Sequence, residues 1–220
     1  MNYLTERRQE EKDRRRSDIL DSAEFIAAAV GIDELTMEQV ARHARLSRAL
    51  IYVYFKDRTD LHMGLCDRAL GMLLERFERA AAEHARGLDK ITAIGRAYVA
   101  FTQEFPVYFD ALSRFEAQGS PAADAANVED NAKACLESGL RVHGAMIAAI
   151  EAGIADGSIR KNAGDPRLIA LTLWGFVHGI LQVATTKQMM LDAHGVATAT
   201  LIEAALGLAA QSIAAAERTA

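Results

Sequence analysis

From Arg14 to Val30 the apolar side chains fall at Ile19, Leu20, Ala23, Phe25, Ile26, Ala27 and Val30. That spacing marks one face of a helix, and Gly31 is a natural stop. Thr36 then stands before a short helical run, with Gln39 three residues on, the capping-box pattern of a helix start. Ser47 offers a second N-cap soon after, so the second helix is short and a third runs from Ser47 to about Val53. Tyr54 and Phe55 close it. Asp57 caps a long fourth helix, predicted over 57–85, whose apolar positions include Leu61, Leu65, Leu70, Leu73, Leu74 and Phe77. The same periodicity predicts helices at about 88–105, 106–118, 124–156, 165–187 and 195–217. Pro106, Pro121 and Pro166 lie at or just before helix starts, where a missing N–H costs nothing. Residues 155–159 read as a turn.

The pattern therefore predicts an all-α chain. Two short helices joined by a turn of about three residues form the helix-turn-helix unit. Val40 and Leu46 supply packing between them, Ala41 allows close approach, and Ile51 packs the second helix onto the core. Phe55 and Ile26 are expected to close that core against the first and fourth helices. The division falls near residue 60. Residues 1–60 are an N-terminal three-helix helix-turn-helix domain, and 61–220 a larger C-terminal helical domain.

Half of the residues are hydrophobic and a quarter charged, ordinary for a globular chain and unlike a disordered one. The formal net charge of −5 excludes a uniformly basic coat, so contact with nucleic acid would need a local basic face. Such a face exists. Arg42, Arg45, Arg48, Lys56 and Arg58 cluster in the helix-turn-helix against one acid, Asp57. The Arg7–Arg16 stretch adds more cations. Tyr52 and Tyr54 bring hydroxyls of the kind that bond phosphate oxygens.

Other classes find less support. Cys66 and Cys135 are too few and too far apart for a disulfide framework or thiolate metal site, and they suit a reducing cytosol. The N-terminus is charged from the start, unlike a secretory signal. Leu168–Thr186 carries no formal charge and has the length of a bilayer span. Yet it holds His178, Gln182, three threonines and two glycines, so a helix buried in protein is expected rather than a membrane segment. His43, His62, His84, His143, His178 and His194 are scattered, and no HExxH, GxSxG or phosphate-loop motif accompanies them. The chain is not expected to be an enzyme, and nothing calls for a cofactor or metal.

The run from Thr36 to Leu61 resembles the DNA-binding signature of the TetR family of transcriptional regulators. Thr36, Val40-Ala41, Ala44, Leu46-Ser47, Tyr52-Val53-Tyr54-Phe55 and Asp60-Leu61 carry the likeness. The pattern departs at the turn, where Arg45 replaces the usual Gly, and at Arg58, which stands for a Lys. A positive φ at Arg45 would cost roughly 1 kcal/mol.

The resemblance implies a cytoplasmic DNA-binding regulator, most simply a repressor released from a palindromic operator by a small ligand. Thr36, Tyr52, Tyr54 and Arg58 would meet phosphates, joined by Arg45 and Lys56. Ser47 would cap the recognition helix. Arg48, Ala49, Leu50 and Val53 would face the major groove, where Arg48 best suits guanine. The two last helices, about 165–187 and 195–217, would form a homodimer interface, which a palindromic site requires. Tyr98, Phe101, Phe105, Tyr108, Phe109, Met146, Trp174, Phe176 and His178 are the candidate pocket for a largely apolar effector. The fourth helix, shared by both parts, would carry the signal. The alternative is a helical ligand-binding or interaction module that does not bind an operator.

Overall fold

The computed structural model describes residues 3–118 and 130–216. Their regular structure is helical: α1 (Tyr3–Val30), α2 (Met37–His43), α3 (Arg48–Tyr54), α4 (Arg58–Ala82), α5 (Gly87–Glu104), α6 (Pro106–Gln118), α7 (Asp130–Asp156), α8 (Pro166–Thr186), α9 (Gln188–Ala193) and α10 (Thr198–Ile213).

Three differences from the periodicity stand out, the first two with local causes. α1 begins at Tyr3, well before the apolar stripe, on an exposed and highly charged segment. Pairs one turn apart support it there: Gln9 with Asp13 (2.8 Å) and Arg15 with Glu11 (3.0 Å). Each such pair contributes about 0.2–0.5 kcal/mol. Second, α9 lies where only the approach to the last helix was expected. Gly195 at φ 65° follows it, so the helix stops and α10 starts afresh at Thr198. Third, α4 ends at Ala82, short of 85, and α10 at Ile213, short of 217. Pro121, residues 124–129 of the expected seventh helix and residue 217 lie outside the described residues.

The chain forms two compact units. The first draws on residues 1–70 and 104–138, the second on 71–103 and 139–220, so α4 and α7 run through both.

In the first unit Ile19, Leu20, Leu35, Val40, Ile51, Phe55, Leu61, Leu65 and Leu112 are buried almost completely. Ile26, expected in this core, is half-buried, while Phe25 is exposed and stacks on His43 (4.4 Å between ring centres). The Arg16 guanidinium lies over the Phe55 ring at 5.4 Å and donates to Asn131 (2.8 Å), so it serves the interior of this unit. Asp57 accepts from the Asp60 N–H (2.8 Å) and starts α4, as its position predicted. Asp60 itself is buried. Its carboxylate accepts from the Lys56 N–H (2.9 Å) and the Asn131 amide (2.7 Å), which satisfies the charge.

In the second unit α8 packs along α10. The predicted turn at 155–159 is a knot of hydrogen bonds. The Asp156 carboxylate accepts from the N–H groups of Gly87 (2.7 Å) and Ser158 (2.8 Å), and Ser158 Oγ accepts from the Leu88 N–H (3.0 Å). Hydrogen bonds from the Ser158 hydroxyl first, and then from Gly87, hold the Asp156 carboxyl below its usual range. Ile159 bridges to Ala214 in antiparallel fashion, which ties the end of α10 to the same turn. Gly87 sits against Gly153: a Cβ there would lie 1.9 Å from the Gly153 nitrogen. The starts and ends of α5, α7 and α10 thus meet around glycines and one carboxylate.

Candidate functional site

Two features invite a functional reading, one in each unit.

The first is the surface of α2 and α3. Thr36 accepts from the Gln39 N–H (3.2 Å), and the Gln39 side chain accepts from the Thr36 N–H (2.8 Å), completing the capping box. α2 ends in a Schellman turn. The Leu46 N–H bonds to the Ala41 carbonyl (3.0 Å) and the Arg45 N–H to the Arg42 carbonyl (3.3 Å). The residue between, Arg45, adopts φ 55°, the left-handed conformation that glycine usually takes in this motif. It is the only non-glycine with positive φ among the described residues. Ser47 then caps α3 by accepting from the Leu50 N–H (3.2 Å).

α3 buries itself through Ile51 and turns Arg48, Ala49, Tyr52 and Val53 outward, with Val53 72% exposed. These positions share one helical face, and an apolar side chain left in water there has no packing role within this unit. The Tyr52 hydroxyl bonds the Arg48 guanidinium one turn away, which further raises the pKa of an always-charged group. Thr36, Arg45, Ser47, Lys56 and Arg58 are exposed as well, whereas Leu50 and Tyr54 are half-buried. Arg58 spends one donor on the Asp33 carbonyl, fixing the start of α4 to the loop before α2. The arrangement offers cations and hydroxyls for phosphate oxygens around a short helix that fits a major groove.

The second feature is an apolar cavity in the second unit. Phe77 of α4, Ile91, Ile94, Gly95 and Tyr98 of α5, Met146 of α7, Leu173, Trp174 and Val177 of α8, and Leu206, Ala209, Ala210 and Ile213 of α10 line it. Thr92 contributes a hydroxyl, already bonded to the Leu88 carbonyl (2.8 Å). No acid or base lines the cavity, so an apolar occupant suits it. Tyr98 stacks on Trp174 at 4.8 Å, and its hydroxyl is hydrogen-bonded to Nδ1 of His178 (2.6 Å). Burial pushes the His178 pKa down, which favours the neutral ring.

Of the nine expected pocket residues, Tyr98, Met146 and Trp174 line this cavity, and His178 joins it through Tyr98. Phe101 is buried in the same unit beneath the Arg76 guanidinium (5.9 Å). Phe105, Tyr108 and Phe109 belong to the other unit. There the Tyr108 hydroxyl donates to Glu24 (2.6 Å), and burial first, with Glu24 next, pushes its pKa up to about 12. Phe176 is 38% exposed. The aliphatic lining residues were not singled out in the sequence, because Leu, Ile and Ala at helical spacing look alike whether they fill a core or border a cavity.

α8 and α10 also carry large apolar side chains in the open: Leu168 (64% exposed), Leu171 (56%) and Leu208 (61%). By length and composition alone α8 could cross a membrane, with a mean hydropathy of 1.6. Among the described residues no group of three or more His, Cys, Asp or Glu could hold a metal ion.

Comparison with known proteins gives these features a context. Residues 19–62 match the family model for bacterial regulatory proteins of the tetR family. Residues 91–208 match that for the tetracyclin repressor-like C-terminal domain. The chain is 28% identical over 76 residues to a fatty acid metabolism regulator protein of Bacillus subtilis (strain 168). That likeness covers 34% of this chain and 39% of the relative, well under two thirds of its length. Among solved structures, a protein of unknown function from Rhodococcus sp. RHA1 superimposes with a TM-score of 0.70 at 25% identity, covering 91% of this chain and 95% of that one. The transcriptional regulator FadR of Bacillus subtilis, in complex with stearoyl-CoA, gives 0.66 at 20% identity, covering 90% and 98%. At that identity the likeness concerns the fold alone.

Proposed function

The chain belongs to the tetR family of bacterial regulatory proteins, and from that premise we propose a homodimeric repressor that leaves a palindromic operator when an apolar ligand fills the cavity. The observation that carries the DNA reading is the capped α3, buried through Ile51 and presenting Arg48, Ala49, Tyr52 and Val53 outward. Arg48 reads guanine, the side chains of Ala49 and Val53 lie against thymine methyls, and Tyr52 and Arg45 hold phosphates. Such a protein works in the cytoplasm, on chromosomal DNA.

A palindrome needs two heads. The exposed Leu168, Leu171 and Leu208 of α8 and α10 are the surface assigned to the second subunit, since burying them against a copy removes apolar area from water. The effector is assigned as a fatty acyl chain carried on a thioester. The charge-free cavity supports this, as do a relative that regulates fatty acid metabolism and a similar fold seen with stearoyl-CoA. Ligand in the second unit would act on the heads through α4, which continues into the first.

Selection from a randomised DNA pool, followed by fluorescence anisotropy over a salt series, tests the reading. A dimer that neutralises 6–10 phosphates should lose roughly 10³–10⁵ in affinity between 50 and 200 mM salt. Acyl-CoA should then release the DNA. Failure to enrich any sequence would favour the module without operator binding. Sedimentation of a Leu171→Glu, Leu208→Glu variant tests the dimer, which should fall to monomers.

A further inference from the structure

Beside the apolar cavity, the second unit carries an open groove between the start of α8 and the end of α10. Leu173 and Ile213 line both spaces, so groove and cavity adjoin at these two side chains. The two differ in chemistry. Arg160, Asp165, Thr172 and Ser212 lie on the groove, whereas the cavity lining has no charged group.

Three of those four polar groups are already engaged. Thr172 donates to the Leu168 carbonyl (2.7 Å), Ser212 donates to the Ala209 carbonyl (2.7 Å), and the Asp165 carboxylate accepts from the Arg167 N–H (2.9 Å). Arg160 is exposed, as are Lys161 and Arg167 beside it, and none of the three forms an ion pair among the described residues. Residues 158–168 thus hold three cations against one acid, in a chain whose formal net charge is −5. A guanidinium offers a planar fork of N–H donors, which suits phosphate oxygens.

We propose that this groove holds the phosphates of the effector's carrier, with Arg160 as their principal donor, while the acyl chain lies in the cavity past Leu173 and Ile213. This rests on the acyl-thioester reading given above and places the half of the ligand that the cavity cannot take. A phosphate buried against the charge-free lining would lose its hydration with nothing in return. At the groove it keeps water on one side and gains cations on the other. The groove then sets a chain on a phosphorylated carrier apart from a free one. Leu168, assigned above to the second subunit, also lines the groove, so the phosphates border that surface.

Two probes share the acyl thioester and differ in phosphate: dodecanoyl-CoA, and dodecanoyl-pantetheine, which carries none. Titration calorimetry on the full chain measures both, and sedimentation follows the oligomer. The wild type should bind dodecanoyl-CoA about tenfold more tightly, the scale of one charge-assisted hydrogen bond, and the gap should narrow as salt is raised. An Arg160→Gln, Lys161→Gln variant should bind dodecanoyl-CoA little better than dodecanoyl-pantetheine, with its affinity for the latter unchanged. Both side chains are exposed, so this variant should melt with the wild type. Lys187→Gln removes a cation at the opposite end of α8 and should keep the full preference. A wild type that holds both probes equally leaves the acyl-thioester reading standing and overturns the groove assignment. A double variant that keeps the preference or weakens both probes alike overturns it too. So does one that sediments as a smaller species, which gives the groove to the second subunit. A wild type that binds neither probe defeats the acyl-thioester reading itself, and the groove assignment falls with it.

Discussion

Arg45 occupies the one position of the helix-turn-helix where backbone conformation and side-chain chemistry pull in opposite directions. Its φ of 55° closes the Schellman turn between α2 and α3. An L-residue pays roughly 1–2 kcal/mol for that conformation, and glycine pays nothing. Glycine instead gives up more freedom on folding, about 0.5–1 kcal/mol. Arg45→Gly should therefore stabilise the protein by about 0.5–1 kcal/mol, and Arg45→Ala, which keeps the strain, should leave it nearly unchanged. In a chain of 220 residues the gain is a rise in Tm of roughly 1–4 °C. Urea unfolding of the three proteins, with equal m-values, measures it directly. The DNA side separates cleanly. Both variants lose the same cation, so both should reduce the salt slope of operator binding by about 0.9 per head. If Arg45→Gly proves no more stable than Arg45→Ala, the strain argument is wrong. If neither changes the salt slope, Arg45 does not meet phosphate, and its retention at this turn would have no account here.

Three further outcomes follow from named contacts. Gly87→Ala should destabilise the second unit by about 3 kcal/mol or more, seen as a marked fall in Tm, because the added carbon meets helix backbone at 1.9 Å and not a movable side chain; a wild-type Tm would mean that α5 and α7 are not so closely packed. Arg48→Ala should cost roughly 1–3 kcal/mol on the selected operator and relax one base preference, while Tyr52→Phe should weaken all sequences alike; equal losses on scrambled DNA for Arg48→Ala would reassign it to phosphate. Burial holds the pKa values of His62, His143 and His178 below the ordinary 6.5. The unfolded chain then takes up protons first on acidification, so stability should be full above about pH 6.5 and decline as pH falls towards 5, before carboxylates titrate; a flat profile across that window would show that these rings titrate freely.

The two expected features were legible to different degrees. The helix-turn-helix was written in short-range signals: the Thr36–Gln39 box, the Ser47 cap, the Asp57 cap and the burial of Val40, Ala41 and Ile51 each involve residues within a turn or two of one another. The cavity was not. Tyr98 and Trp174 drew attention as aromatics among apolar helices, and so did Phe105, Tyr108 and Phe109, yet only the first two border the space. Tyr108 instead holds Glu24, a residue 84 positions away whose partner no local pattern announces.

By itself the sequence determined the helical class, the position of nearly every helix and the cations clustered around α3, because caps and apolar periodicity act through neighbouring turns of one segment. It also set the turn at Arg45, though only the backbone angle decided that an arginine there is strained. The tertiary structure alone decided which apolar side chains line empty space rather than fill a core, that His178 is satisfied by Tyr98 and that His143 Nδ1 is left unbonded. Those outcomes depend on how residues far apart in the chain meet, and periodicity within a segment, which fixes which face is buried, leaves open what that face is buried against.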